Sequence, residues 1–201
     1  MTPLVSVEWL AGRLGDPALR ICDTRWYLTD THQGFREYEQ GHIPGARYLS
    51  LDTDLATFDG PGRHPLPSRQ DAADHFGALG LGDHHTVVAY DSRGGAIAAR
   101  LWWMLRWLGH ERVAVLDGGT TAWEAAGMPM TDVVPWWSQA TLTPSEHPGM
   151  PTIDRDRLAG QTGSVDLVDA RSPERYRGDE EPIDPIAGHI PTAINRPYED
   201  N

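Results

Sequence analysis

Cysteine is almost missing from this chain of 201 residues, where Cys22 stands alone. One thiol excludes an intrachain disulfide and any four-cysteine metal site. Basic residues are scarce as well: 17 Lys and Arg face 29 Asp and Glu, for a formal net charge of -12. That balance argues against a nucleic-acid binder, which carries a basic patch, and against docking on an anionic membrane surface. It leaves room for a small anionic substrate, because a few local arginines can reverse the sign within one pocket. No segment approaches the roughly 20 apolar residues of a membrane span. The opening MTPLVSVEWLAGRLGD also lacks the basic stretch and apolar run of a signal peptide. These absences predict an acidic protein of the cytoplasm.

What is present is enough for a packed core, with 39% hydrophobic residues, and for many short loops, with 16 prolines and 21 glycines. Strand-like runs alternate with helical ones. Val5 to Gly15 reads as a helix, Leu19 to Thr24 as a strand and Gly34 to Gln40 as a polar helix. Arg47 to Leu49 is a strand, Pro61 to Pro67 a proline-rich loop, and Ser68 to Leu79 a helix capped by Ser68. Thr86 to Tyr90 and Arg112 to Leu116 are strands whose apolar runs suit central parallel positions covered on both faces. The implied class is α/β, a mainly parallel sheet flanked by helices.

Thr86 to Gly109 is the most informative stretch: a strand, the tight loop Asp91-Ser92-Arg93-Gly94-Gly95, and an apolar helix. A strand, a short loop and a helix start together form a cradle of N–H groups suited to an anion or an anionic nucleophile. Asp91 stands at its mouth. An aspartyl nucleophile for phosphoryl transfer would want a metal and a second carboxylate close by, which DSRGG does not supply. Cys22, in mid-strand, reads as a buried core residue rather than a nucleophile. His84, His85 and His110 show no metal-ligand spacing.

After Met128 the pattern lapses into a proline-rich linker, 129–151, with Trp136 and Trp137 as packing anchors. Then the chain copies itself. Ile21-Cys22-Asp23-Thr24-Arg25 is echoed by Leu167-Val168-Asp169-Ala170-Arg171 at an offset of 146, and GHIPGA at 41–46 by GHIPTA at 188–193 at an offset of 147. Two matches in the same order are the mark of an internal duplication. Each Asp-x-Arg reads as an ion pair fixing a turn. His42 and His189, one per copy, read as turn-stabilising. The counterpart of Asp91 would fall at about position 237 or 238, beyond Asn201, so the expectation is a second copy without its own cradle loop. The predicted layout is one complete domain (1–128), a linker (129–151) and the first part of a second domain (152–201), the latter less protected because its sheet is incomplete.

Asp23-Thr24-Arg25-Trp26, GHIPGA, RHPLP at 63–67, VVAYD at 87–91, WWMLRWLGH at 102–110, LDGG at 116–119, VDARSPERYRG and the second GHIP together resemble the rhodanese family, specifically its tandem-domain thiosulfate and 3-mercaptopyruvate sulfurtransferases. The resemblance implies transfer of sulfane sulfur from a small anionic donor to cyanide or a thiol through a cysteine persulfide, with no metal or organic cofactor. It implies that Asp91 stands where the nucleophilic cysteine would be, that the first copy is silent, and that the chain as given has no catalytic residue. It implies Arg175 as the donor-anion site. Asp184 stands where mercaptopyruvate-using members tend to place a further arginine, which leans toward thiosulfate. The alternative is a non-catalytic rhodanese-like binding or structural module.

Overall fold

The two apolar runs do form the heart of a sheet. The computed structural model describes residues 1–60 and 62–200; Pro61, the first residue of the proline-rich loop, and Asn201 lie outside them. The chain divides into two compact units, Met1–Pro151 and Thr152–Asn201.

In the first unit the elements run β1 (Leu4–Val5), α1 (Val7–Ala11), β2 (Leu19–Asp23), α2 (Gln33–Gln40), β3 (Ala46–Tyr48), α3 (Arg69–Ala78), β4 (Thr86–Tyr90), α4 (Ala98–Leu108), β5 (Val113–Leu116) and α5 (Gly119–Ala125). The strands form one parallel sheet in the order β1-β5-β4-β2-β3. The helix expected over Val5 to Gly15 is shorter, because Val5 is taken by the sheet, where it pairs with Leu116. Ser6 then caps α1, its hydroxyl accepting from the Trp9 N–H.

Side chains of a strand alternate between its two faces, and here each face has its own core. Cys22, Val87, Ala89, Val113 and Val115 pack against Phe76 of α3 and Leu101, Met104, Leu105 and Leu108 of α4. Ile21, Val88, Tyr90, Ala114 and Leu116 pack against Val7 and Leu10 of α1 and Trp123 of α5. Cys22 is fully buried, and desolvation pushes its thiol far above the ordinary cysteine range, so it is not a thiolate source.

Residues 129–151 lie along the first unit. Thr131 exchanges backbone hydrogen bonds with His42, Ala140 N–H donates to Gly77 O, and Ser145 N–H to Leu108 O. Trp137 packs there beneath the Arg20 guanidinium, 5.1 Å from its ring centre. Trp136 is no anchor: it is 85% exposed, since neighbouring side chains on an extended segment point to opposite sides.

The second unit carries α6 (Arg155–Ala159), β6 (Val168–Asp169), α7 (Pro173–Arg177), β7 (Ile194–Asn195) and a final 3-10 turn, Tyr198–Asp200. Its parallel pair β6-β7 matches β2-β3 of the first unit. Ala193 alone is buried among the described residues from 152 onward. Val168 and Ile194, on the paired strands, remain exposed.

Candidate functional site

The loops leaving the carboxyl ends of β2, β4 and β5 converge, as ligand-binding loops do in open parallel sheets. At the end of β4 the Asp91 carboxylate is the centre of the cradle. Its Oδ1 accepts the N–H of Arg93 (2.7 Å) and Gly95 (2.9 Å); its Oδ2 accepts those of Ile97 (2.7 Å) and Ala98 (2.9 Å). Asp91 is 1% exposed. The expected mouth is therefore closed by its own residue. The carboxylate accepts from four backbone donors that a loop and a helix start would otherwise leave unpaired.

The β5 loop presses on the same point. Gly119 has φ +54, and a β-carbon there would lie 2.0 Å from the Asp91 carbonyl oxygen, so only glycine fits. Thr120 N–H donates to that carbonyl at 3.0 Å. Beside the loop, the Ser92 hydroxyl lies 2.8 Å from the Tyr27 hydroxyl, which donates to Glu37 Oε2. A cavity of about 460 Å³ opens here, lined among others by Arg25, Glu37, Ser92 and Glu124.

Asp23 and Arg25 form a buried bidentate pair, with Arg25 Nη2 2.6 Å from Asp23 Oδ2 and donating also to Gly41 O at 2.8 Å. Tyr90 adds its hydroxyl to the same Asp23 oxygen. Desolvation opposes the Arg25 charge, but the Asp23 hydrogen bonds more than offset it, so the guanidinium pKa stands above its ordinary value. The pair thus ties the end of β2 to the GHIP turn.

The second unit repeats this device. Arg171 Nη2 is 2.6 Å from Asp169 Oδ2 and donates to Gly188 O at 2.6 Å. Two further parts recur that the motif spacing did not reveal. Tyr38 stacks on His42 (3.9 Å, 12°) and donates to Ala46 O; Tyr176 stacks on His189 (3.8 Å, 15°) and donates to Ala193 O. Each histidine Nδ1 sits at the carbonyl of its own tyrosine, 2.8 and 2.7 Å away. Glu37 and Glu181 each approach the outer nitrogen of their arginine, at 3.8 and 3.2 Å.

Arg175 is not a solvated surface arginine. Its Nη2 donates to Glu181 Oε1 and to Asp184 Oδ2, both at 2.8 Å, and its Nε donates to Glu181. It follows immediately before Tyr176 in α7, the place that Glu37 occupies before Tyr38. Before the tyrosine, the first unit thus has a carboxylate and the second a guanidinium. Glu181 is held down at about 2, first by the Arg175 hydrogen bonds and then by the N–H groups of Asp184 and Ile183. A carboxyl depressed in the folded state stabilises fully above its ordinary 4.5 and loses that contribution as pH falls toward about 2. Amide exchange around residues 168–195 is expected to accelerate across that interval beyond the intrinsic chemical trend, and Glu181→Gln to weaken the dependence. Protection that stays constant through the interval would contradict this.

Among the described residues, no three His, Cys, Asp or Glu side chains are grouped to hold a metal ion, and no helix is long and apolar enough to cross a membrane. The rings of His84 and His85 lie 3.9 Å apart, tilted at 46°, and His110 is buried in the first unit.

A parallel sheet with a carboxylate-filled N–H cradle at one strand end, and the Asp-x-Arg, Tyr and His set found again in a second unit, defines an α/β protein with a recurring strand-end motif. The rhodanese-like domain description matches residues 6–126. The chain is 42% identical over 208 residues to a protein named "Probable 3-mercaptopyruvate sulfurtransferase" from Pseudomonas aeruginosa, covering 98% of this chain and 72% of that one. It is 36% identical over 211 residues to the thiosulfate sulfurtransferase of Mus musculus, covering 98% and 69%. In structure it is similar to the 3-mercaptopyruvate sulfurtransferase SseA of Escherichia coli (TM-score 0.85, 28% identity, 100% of this chain and 76% of that one). The chain belongs to the rhodanese family, and its relatives are sulfurtransferases.

Proposed function

We propose that the chain belongs to a two-domain sulfurtransferase of thiosulfate type, in which the first unit is the silent copy and the second is the first part of the catalytic one. The observation that carries this is the recurrence in unit two of the whole strand-end device, with Arg175 in place of Glu37. In the first unit Asp91 holds the seat of the nucleophile. A carboxylate there satisfies the N–H cradle, but it has no sulfur on which to carry a persulfide. In the reaction, a thiolate attacks the sulfane sulfur of thiosulfate, sulfite leaves with the electron pair of the broken S–S bond, and the resulting persulfide passes its outer sulfur to cyanide or a thiol. Arg175 orients the donor anion. The choice of thiosulfate over mercaptopyruvate rests on Asp184, a carboxylate 2.8 Å from Arg175, where a second arginine would favour a carboxylate-bearing donor.

The 201-residue chain alone, whose single thiol is buried in mid-sheet, is then a non-catalytic rhodanese-like module. Thiocyanate formation from thiosulfate and cyanide is expected to match the protein-free rate and to be unchanged in Cys22→Ser. Turnover abolished by Cys22→Ser would make Cys22 the nucleophile. Turnover that survives it would remove persulfide chemistry from the reading.

A further inference from the structure

One oxygen of Glu181 accepts four hydrogen bonds: Oε1 takes Arg175 Nη2 (2.8 Å) and Nε (3.2 Å) and the backbone N–H groups of Asp184 (3.0 Å) and Ile183 (3.1 Å). The other, Oε2, takes Arg171 Nη1 at 3.2 Å. The Glu181 side chain is 5% exposed. It is anchored on one side by the turn that follows it, and on another by Arg171, itself tied to Asp169 and Gly188 O. The first unit asks less of its carboxylate. Glu37 accepts from the Tyr27 hydroxyl and the Gln33 amide, is 29% exposed, and has Arg25 as its guanidinium neighbour, 3.8 Å away. A second guanidinium is what unit two adds.

For Arg175 the consequence is a division of its edges. A guanidinium carries five N–H donors in one rigid plane. The Nε hydrogen and one Nη2 hydrogen go to Glu181, and Nη2 also donates to Asp184. The Nη1 hydrogens have no partner among the described residues, and the side chain is 19% exposed. Contact through both Nε and Nη2 to one immobile carboxylate fixes the plane of the fork as well as its distance.

We propose that Glu181 is a positioning residue for sulfur transfer, holding Arg175 by its Nε–Nη2 edge and so presenting the Nη1 edge, already oriented, to the oxygens of the donor anion. The proposal rests on the reading of Arg175 as the donor-anion site. It puts two effects of opposite sign on one carboxylate. As a negative charge beside the arginine, Glu181 opposes an incoming anion. As an anchor, it removes the ordering cost that a loose arginine would bear on binding. The anchor outweighs the charge here. The charge is already compensated by two guanidinium groups and two backbone N–H groups, while the orientation has no second source of comparable rigidity.

The test uses the full 201-residue chain, with sodium thiosulfate titrated at constant ionic strength and binding read from the backbone amide resonances of α7 and the guanidinium resonances of Arg175. In the parent chain, thiosulfate should move the Arg175 Nη1 resonances well beyond that of its Nε–H; a shift as large at Nε–H would overturn the proposal. Glu181→Gln is expected to weaken binding about three- to tenfold, the scale of ordering one rotamer-rich side chain, although it removes a negative charge. Glu180→Gln removes an equal charge from an exposed neighbour and should tighten binding by less than about twofold. In an Arg175→Lys chain, whose ammonium has no edge to orient, Glu181→Gln should no longer weaken binding. Tightening by Glu181→Gln in the parent chain, or equal weakening in both backgrounds, would show that Glu181 does not act by aiming Arg175. If either occurs while Arg175→Gln abolishes binding, Arg175 stands as the donor site without a positioning partner. If thiosulfate binds equally with and without Arg175, the donor-site reading fails and the positioning role fails with it.

Discussion

Asp91→Ala is expected to lower the stability of the first unit by about 3–6 kcal/mol, because four backbone N–H groups lose their acceptor at a site closed to water, each worth about 1–3 kcal/mol with partial recovery by entering solvent. The tryptophans make the measurement direct: all eight lie at or before Trp137, so fluorescence-detected denaturant unfolding reports the first unit alone. Asp91→Asn keeps one oxygen but turns an NH₂ toward two of the donors, so its loss should approach that of alanine. An alanine variant within about 1 kcal/mol of the parent would mean the carboxylate is dispensable to the loop.

The companion substitution, Asp91→Cys, addresses the chemistry of the seat. A thiol set among these four donors should be depressed below its ordinary value of about 8.5. Its alkylation by iodoacetamide near neutral pH should then greatly outpace that of Cys22, which burial keeps protonated. A cysteine at 91 with an ordinary or raised pKa would remove the claim that the cradle is built for an anionic nucleophile.

Arg25→Ala should cost the first unit about 3–5 kcal/mol, the usual consequence of stranding one partner of a buried ion pair. Asp23 would be left fully buried with the Tyr90 hydroxyl as its remaining side-chain donor, and Gly41 O would lose its guanidinium donor. The same change in the second unit, Arg171→Ala, strands a carboxylate that is 13% exposed and reachable by water, so about 1 kcal/mol is expected there. Since that unit holds no tryptophan, amide exchange is the probe for it. Equal losses in the two units would show that burial does not set the strength of the pair.

The contrast between the two copies also shows what was readable in the sequence. Asp-x-Arg and GHIP keep their internal spacing in both copies, so the pairs Asp23–Arg25 and Asp169–Arg171 and the matching strands were legible. The Tyr38–His42 and Tyr176–His189 stacks were not. Thirteen positions separate Arg25 from Tyr38 but five separate Arg171 from Tyr176, and the tyrosine-to-histidine gap changes from four to thirteen. The contacts survive because the segments between them lengthen outward as loops. Glu37 and Glu181 were hidden for the same reason: they reach equivalent arginines from opposite sides of their tyrosines. The closure of the cradle was also out of reach, since composition places an aspartate at a loop but not its oxygens on four particular N–H groups. Trp136 and Trp137 differ only by the side of the segment on which each falls.

The edge position of β1 has a consequence for how the chain is made. Leu4 and Val5 are synthesised well ahead of their partners, Val115 and Leu116. Until the chain between them is made, β1 has no strand to join, while β2 and β4 can already pair. β1 therefore cannot enter the sheet until β5 exists, and a bulky group placed on β1 would burden that late, long-range step rather than nucleation of the core.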